Sequence, residues 1–443
     1  MPFGLGPLAQ HPSVFPSHHV ESRSVSPDGF SRYLSLFAGA ESGEIMRLAV
    51  DQLHSRAKSL AARFREEGGR SYIDQAIVLD REALELCPPG YPERDVSLWL
   101  LALHLAKRYN QLGAMEDINE AIVLDRDALA LRPPGHPDRS MSVHGLAVNL
   151  SIRFKQLGAM EDLNEAIHLE RDALALHPPG HPDRSMYLNH LAVHFSIRYT
   201  ELGAMEDLNE AIVLARETVA LCPPGHQHRS ISLNNLAAYL SARFNRLGAM
   251  EDLNEAVVLD RDALTLRPPG HPYRSICLDN LAVHLSTRFH QLGVMEDLNE
   301  AIVLAREALA LCPAEHLDRS GSLNNLAVDL SARYKQLGAM EDLNEAIVLD
   351  REALVLRPPG HPHRSRSLNN LAIHLSTRFD QLRAMKDLNE AIVLERDALA
   401  LCLPGHVDHS TSLNSLARYL RTRFTRSSQS KDKEELSWQI HPQ

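Results

Sequence analysis

A period of 45 residues runs through most of the chain and constrains its fold more than any other feature. The stretch 323–367 is followed at Leu368 by a second copy of its own opening, LNNLA. Shifting the sequence by one period superimposes glycines and prolines: Gly113, Gly158, Gly203, Gly248, Gly293 and Gly338, and Pro88, Pro133, Pro178, Pro223, Pro268, Pro313 and Pro358. A fixed period of this size predicts stacked structural units, each in contact with its neighbours along the chain.

The first half of each unit predicts a helix, which we call helix A. Between Pro137 and Lys155, apolar residues recur at helical spacing and form one stripe. Proline suits the first position of a helix, and Ser140 is an alternative N-cap. Gly158 is expected to end the helix in the left-handed conformation.

The second half predicts helix B, from about Met160 to Leu176, with Glu161 and Asp162 in its first turn. Pro178 and the residues after it end this helix, because proline cannot continue the backbone ladder. Neither helix can bury its apolar stripe alone, so helices A and B must pack as antiparallel neighbours. The fold class is therefore all-α, with about eight to nine antiparallel helix pairs in a solenoid.

Composition divides the chain into three parts. Residues 1–40 lack periodicity and are rich in Pro, Ser, Gly and His, which predicts a flexible leader. Residues 41–425 form the repeat array, and residues 426–443 are a polar tail or an incomplete last helix. The five cysteines are read as buried thiols in a reducing compartment, since four of them share one phase before the Pro-Gly loop.

The net charge of −11 argues against nucleic acid or an anionic membrane surface as the main partner. No apolar run approaches the ~20 residues of a membrane-spanning helix, and the N-terminus has no secretory signal pattern. These features predict a cytoplasmic protein.

The polar face of helix A carries a ladder with spacing i, i+4, i+8. Asparagine amides can bond an extended backbone, and arginine can pair with a carboxylate. Alternatively, the arginines bridge to an acidic residue of a neighbouring helix B. The predicted partner-binding residues are Asn235, Tyr239, Arg243, Asn280, His284, Arg288, Asn325, Asp329, Arg333, Asn370, His374 and Arg378.

Two further ladders favour structural roles. In the loops, one phase holds His136, His181, His226, His271, His316, His361 and His406. Stacked units space these histidines too widely to share a metal ion, so loop-closing hydrogen bonds are expected and no metal site is predicted. In helix B, Arg81, Arg126, Arg171 and their copies are expected to form ion pairs between units.

The helix-B run E-A-I-V-L-x-R-x-A-L-x-L resembles the second helix of tetratricopeptide repeats (TPR). The run GHPxRSxSLNNLAxxLSxRFxQLG resembles the longer repeats of the kinesin light chain type. The resemblance covers roughly residues 50–425. It implies a right-handed superhelix whose A helices line a concave groove for a peptide or partner segment. It also implies the absence of catalytic activity.

The sequence therefore predicts a non-enzymatic interaction scaffold without cofactor, whose partner is a protein or a peptide with acidic side chains. We expect no nucleic acid, membrane or small-molecule partner. Similar arrays are also linked to CHAT-type proteases, so the alternative is the sensor or regulatory part of a larger signalling or defence protein. In the groove, Asn325, Asn370, His374, Arg333 and Arg378 should be accessible, and Leu326, Leu330, Leu371 and Leu375 buried.

Overall fold

A computed structural model describes residues 42–226, 228–313, 319–401 and 407–427. The predicted leader lies outside these residues, as do residues 428–443 of the predicted tail. The described part contains helices and connecting loops and no strand.

The helices, numbered in chain order, alternate between the A type (odd numbers) and the B type (even numbers). They are α1 (Ser42–Glu67), α2 (Arg70–Glu85), α3 (Arg94–Leu112), α4 (Met115–Ala130), α5 (Arg139–Leu157), α6 (Met160–Ala175), α7 (Arg184–Leu202), α8 (Met205–Leu221), α9 (Arg229–Leu247), α10 (Met250–Thr265), α11 (Arg274–Leu292), α12 (Met295–Leu311), α13 (Arg319–Leu337), α14 (Met340–Val355), α15 (Arg364–Leu382), α16 (Met385–Leu401) and α17 (Val407–Ser427). Each A helix packs antiparallel to the B helix that follows it, which confirms the predicted all-α array of helix pairs.

The chain divides into two compact units on either side of the Pro223–Pro224 bond. Each unit has its own apolar core, built from the stripes of consecutive A and B helices. In the second unit, Leu326 and Leu330 of α13 pack in one cluster with Ala346 of α14. Leu371 and Leu375 of α15 are buried in the next cluster, so the predicted core positions of helix A are confirmed. The right-handed superhelical sense remains a prediction from the resemblance.

A short loop joins each A helix to its B helix. Gly158 has a φ of 71° and its amide donates to the carbonyl of Phe154 at 2.7 Å, so it ends α5 as predicted. The equivalent position after α15 is Arg383, which adopts the same left-handed conformation with a φ of 55°. A side chain in this region is strained, so this copy of the loop is less favourable than the others.

Where all residues of the connection are described, two consecutive turns join a B helix to the next A helix. In the first turn, the His136 amide donates to the Pro133 carbonyl at 3.0 Å, and Gly135 has a φ of 93°. In the second, the Arg139 amide donates to the His136 carbonyl at 3.1 Å, and α5 begins at Arg139. The proline at 137 therefore occupies a turn position rather than the first position of the helix, which corrects the predicted helix start.

Candidate functional site: the face of the A helices

The arginines of the predicted ladder are held by aspartates. Arg333 donates through Nε and Nη2 to the two carboxylate oxygens of Asp342, both at 2.7 Å, and this hydrogen bonding raises the pKa of Arg333. The same bidentate contact joins Arg243 to Asp252, Arg288 to Asp297 and Arg378 to Asp387. The alternative interpretation of the sequence, a bridge to helix B, is therefore confirmed.

A second contact extends the arginine bridge to the preceding repeat. Arg378 Nη1 donates to Oδ1 of Asn344 in α14 at 3.1 Å, while its other donors bind Asp387 in α16. One guanidinium thus joins three consecutive helices, α14, α15 and α16. We call this contact the arginine staple, and it commits most of the donors of the guanidinium to the fold.

The middle members of the predicted ladder are buried. Tyr239 is 0% exposed, and burial raises its pKa. His284 and His374 pair through Nδ1 with Asp260 and Asp350, each at 2.6 Å. The expectation that His374 is accessible is therefore wrong.

Asp329, the remaining middle member, is also buried and accepts a hydrogen bond from the Ser286 hydroxyl. Burial raises the pKa of Asp329 to about 7, because the charged carboxylate loses its hydration. None of the four middle positions of the ladder is thus open to a partner that binds the described fold.

The asparagines of the predicted ladder are more exposed than the residues four positions after them. Asn325 is exposed, and Asn235, Asn280 and Asn370 are partly exposed. A step of four residues turns by roughly 40° around a helix, so the i+4 and i+8 positions rotate towards the neighbouring helices. The accessible positions instead follow the asparagine by three residues, where the side chains are aliphatic.

We call these eight positions the accessible stripe. They are Asn235, Ala238, Asn280, Val283, Asn325, Val328, Asn370 and Ile373. Each of the helices α9, α11, α13 and α15 contributes one amide, which can donate and accept a hydrogen bond, and one small or medium aliphatic side chain. The stripe is uncharged and belongs to the second compact unit. Its chemistry suits an extended backbone with apolar side chains.

One position of helix B carries a buried acid in three repeats of each unit, which the sequence analysis did not predict. We call these positions the buried seam; the acids are Asp80, Asp125, Glu170, Asp260, Asp350 and Glu395. Burial raises the pKa of Asp125 to about 7 and that of Glu395 to about 8. The available signal in the sequence is spacing: Asp350 lies three residues after buried Ile347 and three before buried Ala353, on the apolar face of its helix.

Asp350 shows how a seam acid is held between two A helices. Asn324 of α13 donates from Nδ2 to Asp350 Oδ1 at 3.0 Å, and His374 of α15 contacts Oδ2 at 2.6 Å. Both oxygens of this acid are therefore hydrogen-bonded. An acid with complete partners is tolerated in a core and fixes the register of the helices around it.

Most members of the other two predicted ladders have the structural roles expected of them, while Arg171 lies over the ring of Phe195, 5.1 Å from its centroid. Arg306 pairs with Glu345 of the next B helix at 2.7 Å, and Arg81, Arg126, Arg261 and Arg351 make the same contact. In the loops, the Asp138 amide donates to Nδ1 of His136 at 3.1 Å, and the loops at His181, His226, His271 and His361 repeat this bond. His316 and His406 lie outside the described residues.

No protein-family model and no curated protein matches the sequence. Solved structures match the fold. A signal transduction ATPase with numerous domains and a tetratricopeptide repeat sensor, from Pyrococcus horikoshii, is 14% identical over 93% of this chain and 54% of that chain, with a TM-score of 0.54.

The human IFIT1 dimer with PPP-AAAA is 15% identical over 93% of this chain and 89% of that chain, with a TM-score of 0.52. A Podosopora anserina structure named for a kinesin light chain, with nearly identical TPR-like repeats, is 22% identical. It covers 49% of this chain and 99% of that chain, with a TM-score of 0.37. The fold is that of TPR-like helical repeats. In the described part of the chain, no helix has the length and apolar character needed to cross a lipid bilayer.

Proposed function

We propose that the protein is a non-catalytic interaction scaffold that binds an extended segment of a partner protein along the accessible stripe. The observation that carries this proposal is the recurrence of one amide and one aliphatic side chain on four consecutive A helices. Asn325 and Asn370 can bond the backbone of a segment whatever its sequence. Val328 and Ile373 offer apolar contact to alternate side chains of the same segment.

The charge of the partner follows from the arginine staple. The sequence-based expectation of an acidic partner assumed that Arg333 and Arg378 are free to bind it. In the structure, each of these arginines is paired with an aspartate of helix B. The stripe itself carries no charge. We therefore propose a segment with an accessible backbone and apolar side chains, bound with little dependence on salt.

The test captures partners on the full-length chain and maps where they bind. A photoreactive side chain is placed at Asn325 in one variant and at Val348 in a second, matched variant. Val348 is 54% exposed on α14, so a photoreactive side chain there detects a partner that binds to the B helices. We expect covalent adducts with a captured protein from position 325 and few from position 348.

Two results would contradict this function. Adducts formed mainly from position 348 would move the site to the B helices. Captured material that consists of RNA, and is lost after nuclease treatment, would make nucleic acid the partner. The second result has a precedent among structures of similar fold, because the human IFIT1 dimer was solved with PPP-AAAA. The net charge of −11 opposes it here.

A second candidate function is the sensor part of a larger signalling protein. The observation that favours it is the similarity to a structure described as carrying a tetratricopeptide repeat sensor. In that role, the accessible stripe would bind the signal, and a linked effector domain would respond. Sequencing the transcript beyond the codon for Gln443 decides this point, since an in-frame effector domain would support the sensor and its absence would support the scaffold.

A further inference from the structure

One position of the buried seam differs from the rest in the residues around its acid. Glu170 of α6 contacts Nδ1 of His144 in α5 at 2.6 Å through Oε1. The imidazole of His190 in α7 lies beside that of His144, with 4.3 Å between the ring centroids. One ligand atom from each of the three residues lies within 4.8 Å of the other two. Three consecutive helices of the first unit thus bring two imidazoles and a carboxylate together.

Two buried atoms at this position of the seam have no hydrogen-bond partner in the described part of the chain, one in this group and one beside it. They are Oε2 of Glu170 and Nδ1 of His194. His194 follows His190 by one helical turn, and burial lowers its pKa to about 4, so its ring is neutral. Elsewhere in the seam, the histidine 24 residues after the acid is bonded to it, as His374 is to Asp350. An unpaired buried polar atom is costly, and a bound ion is one of the ways in which proteins satisfy it.

We infer that His144, Glu170 and His190 form a binding site for a divalent transition metal ion of the zinc type. Neutral imidazole and carboxylate are ligands that zinc prefers, at roughly 2.0–2.2 Å. Tetrahedral bonds of that length separate the ligand atoms by roughly 3.3 Å. The observed ligand atoms lie within 4.8 Å of one another, so the side chains must close on the ion when it binds. The fourth position is open to water.

The site joins two consecutive repeats, and the repeats that follow lack its histidines. At the position of His144 the following repeats have Asn189 and Asn234, and at the position of His190 they have Asn235 and Asn280. The three residues occupy different positions of the 45-residue period and lie on different helices. A comparison of residues that share one position of the period therefore does not group them. The sequence-based prediction of no metal site considered the loop histidines, which bond their own turns.

The experiment uses the untagged full-length chain, stripped with a chelator and titrated with Zn²⁺ in the presence of a competing indicator. We expect about one tightly bound equivalent, and with Co²⁺ a visible absorption band typical of tetrahedral coordination. His144→Asn and His190→Asn introduce a residue that other repeats carry at those positions, so the fold should persist. Each should weaken Zn²⁺ binding about tenfold or more, as should Glu170→Gln.

Matched controls separate this site from the other histidines. His284→Asn removes a seam histidine that pairs with Asp260, and His181→Asn removes a histidine from a second group with His177 and Asp183. Both variants should bind Zn²⁺ as the unmodified chain does. Circular dichroism confirms that every variant is folded.

Three results would overturn the inference. In the first, the His144→Asn/His190→Asn double variant retains the tight equivalent while remaining helical. In the second, the unmodified chain binds no Zn²⁺ ion more tightly than the double variant does. Loss of the tight equivalent in His181→Asn alone would place the metal at the loop group and would equally overturn it.

Discussion

The helices α6 and α14 hold a buried acid at the same position of the repeat, yet they bond it differently. Both oxygens of Asp350 are hydrogen-bonded, by Asn324 and by His374. Glu170 contacts His144 through one oxygen, and its other oxygen lacks a partner in the described part of the chain. Nearly identical repeats therefore differ in their interior. Asp80 and Asp260 also keep one oxygen without a partner in the described part of the chain, but one histidine bonds each of them. The complete arrangement at Asp350 stabilises the helix packing, and the carboxylate of Glu170 beside two imidazoles leaves ligand atoms for an ion.

The largest expected effect concerns the complete seam. Asp350→Ala leaves His374 and Asn324 without their buried partner, and we expect the free energy of unfolding to fall by about 4 kcal/mol. Urea denaturation followed by circular dichroism measures the change. Glu345→Ala is the control, because it removes an exposed ion pair with Arg306 and should cost less than about 1 kcal/mol. Equal losses in the two variants would mean that the seam does not hold the helices together.

The next effect is a dependence on pH at Asp329. Its folded pKa of about 7 lies above the unfolded value, so the neutral form stabilises the fold below pH 4, and this stability is lost as the pH rises to about 7. Asp329→Asn keeps the shape without the charge. Its free energy of unfolding should match that of the unmodified chain at about pH 3.5 and exceed it by on the order of 3 kcal/mol at about pH 7.5. A constant difference between these pH values would contradict the buried position of Asp329.

A smaller effect distinguishes the staple from the surface ion pairs. Arg378→Ala leaves the buried carboxylate of Asp387 without its bidentate partner and should cost about 2 kcal/mol. Arg351→Ala removes an exposed pair with Glu390 and should cost about 0.5 kcal/mol. Thermal melts of the two variants, in low and high salt, provide the comparison. A larger loss for Arg351→Ala would reverse the roles assigned to the two ladders.

The smallest effect is at a helix end. Arg383→Gly removes the strain of a side chain in the left-handed conformation and should raise the free energy of unfolding by about 1 kcal/mol. The mirror change, Gly338→Arg, should lower it by a similar amount, because Gly338 has a φ of 72°. Denaturant midpoints of the two variants should therefore move in opposite directions. A shift of both in one direction would exclude backbone strain as the cause.

The helices and the end of helix A were predictable because a strict period repeats every local signal, whereas the start of helix A was placed two residues too early. The glycine after Phe154, the prolines of the loop and the stripe of helix A each recur in phase. The bridge from the helix-A arginine to an acid of helix B was anticipated as an alternative, and the hydrogen bonds of the loop histidines were expected, whereas the staple's contact with the asparagine of the preceding repeat was not predicted. Their partners, the aspartate nine residues on and the amide two residues on, are close in sequence, so local geometry determines these contacts.

The buried seam and the accessible stripe were not predictable in the same way. Asp350 is charged, as surface residues are, but its spacing from Ile347 and Ala353 places it on the apolar face of its helix. Its burial depends on how the neighbouring helices pack, which the sequence does not give. A trio spaced i, i+4, i+8 shares one side of an isolated helix. In the array, neighbouring helices cover the rotated members, so Asn325 remains open while Asp329 is buried.

The proposed role of the accessible stripe is tested most directly with a peptide selected from a random library on the full-length chain. Its affinity is then measured for Asn325→Leu/Asn370→Leu and for Val348→Asn/Val393→Asn, which changes two exposed valines of the B helices. We predict that the first pair weakens binding by about 1–3 kcal/mol while the second leaves it unchanged. Both variants should keep the melting temperature of the unmodified chain. Affinity that survives the asparagine changes and falls with the valine changes would contradict a partner site on the A helices.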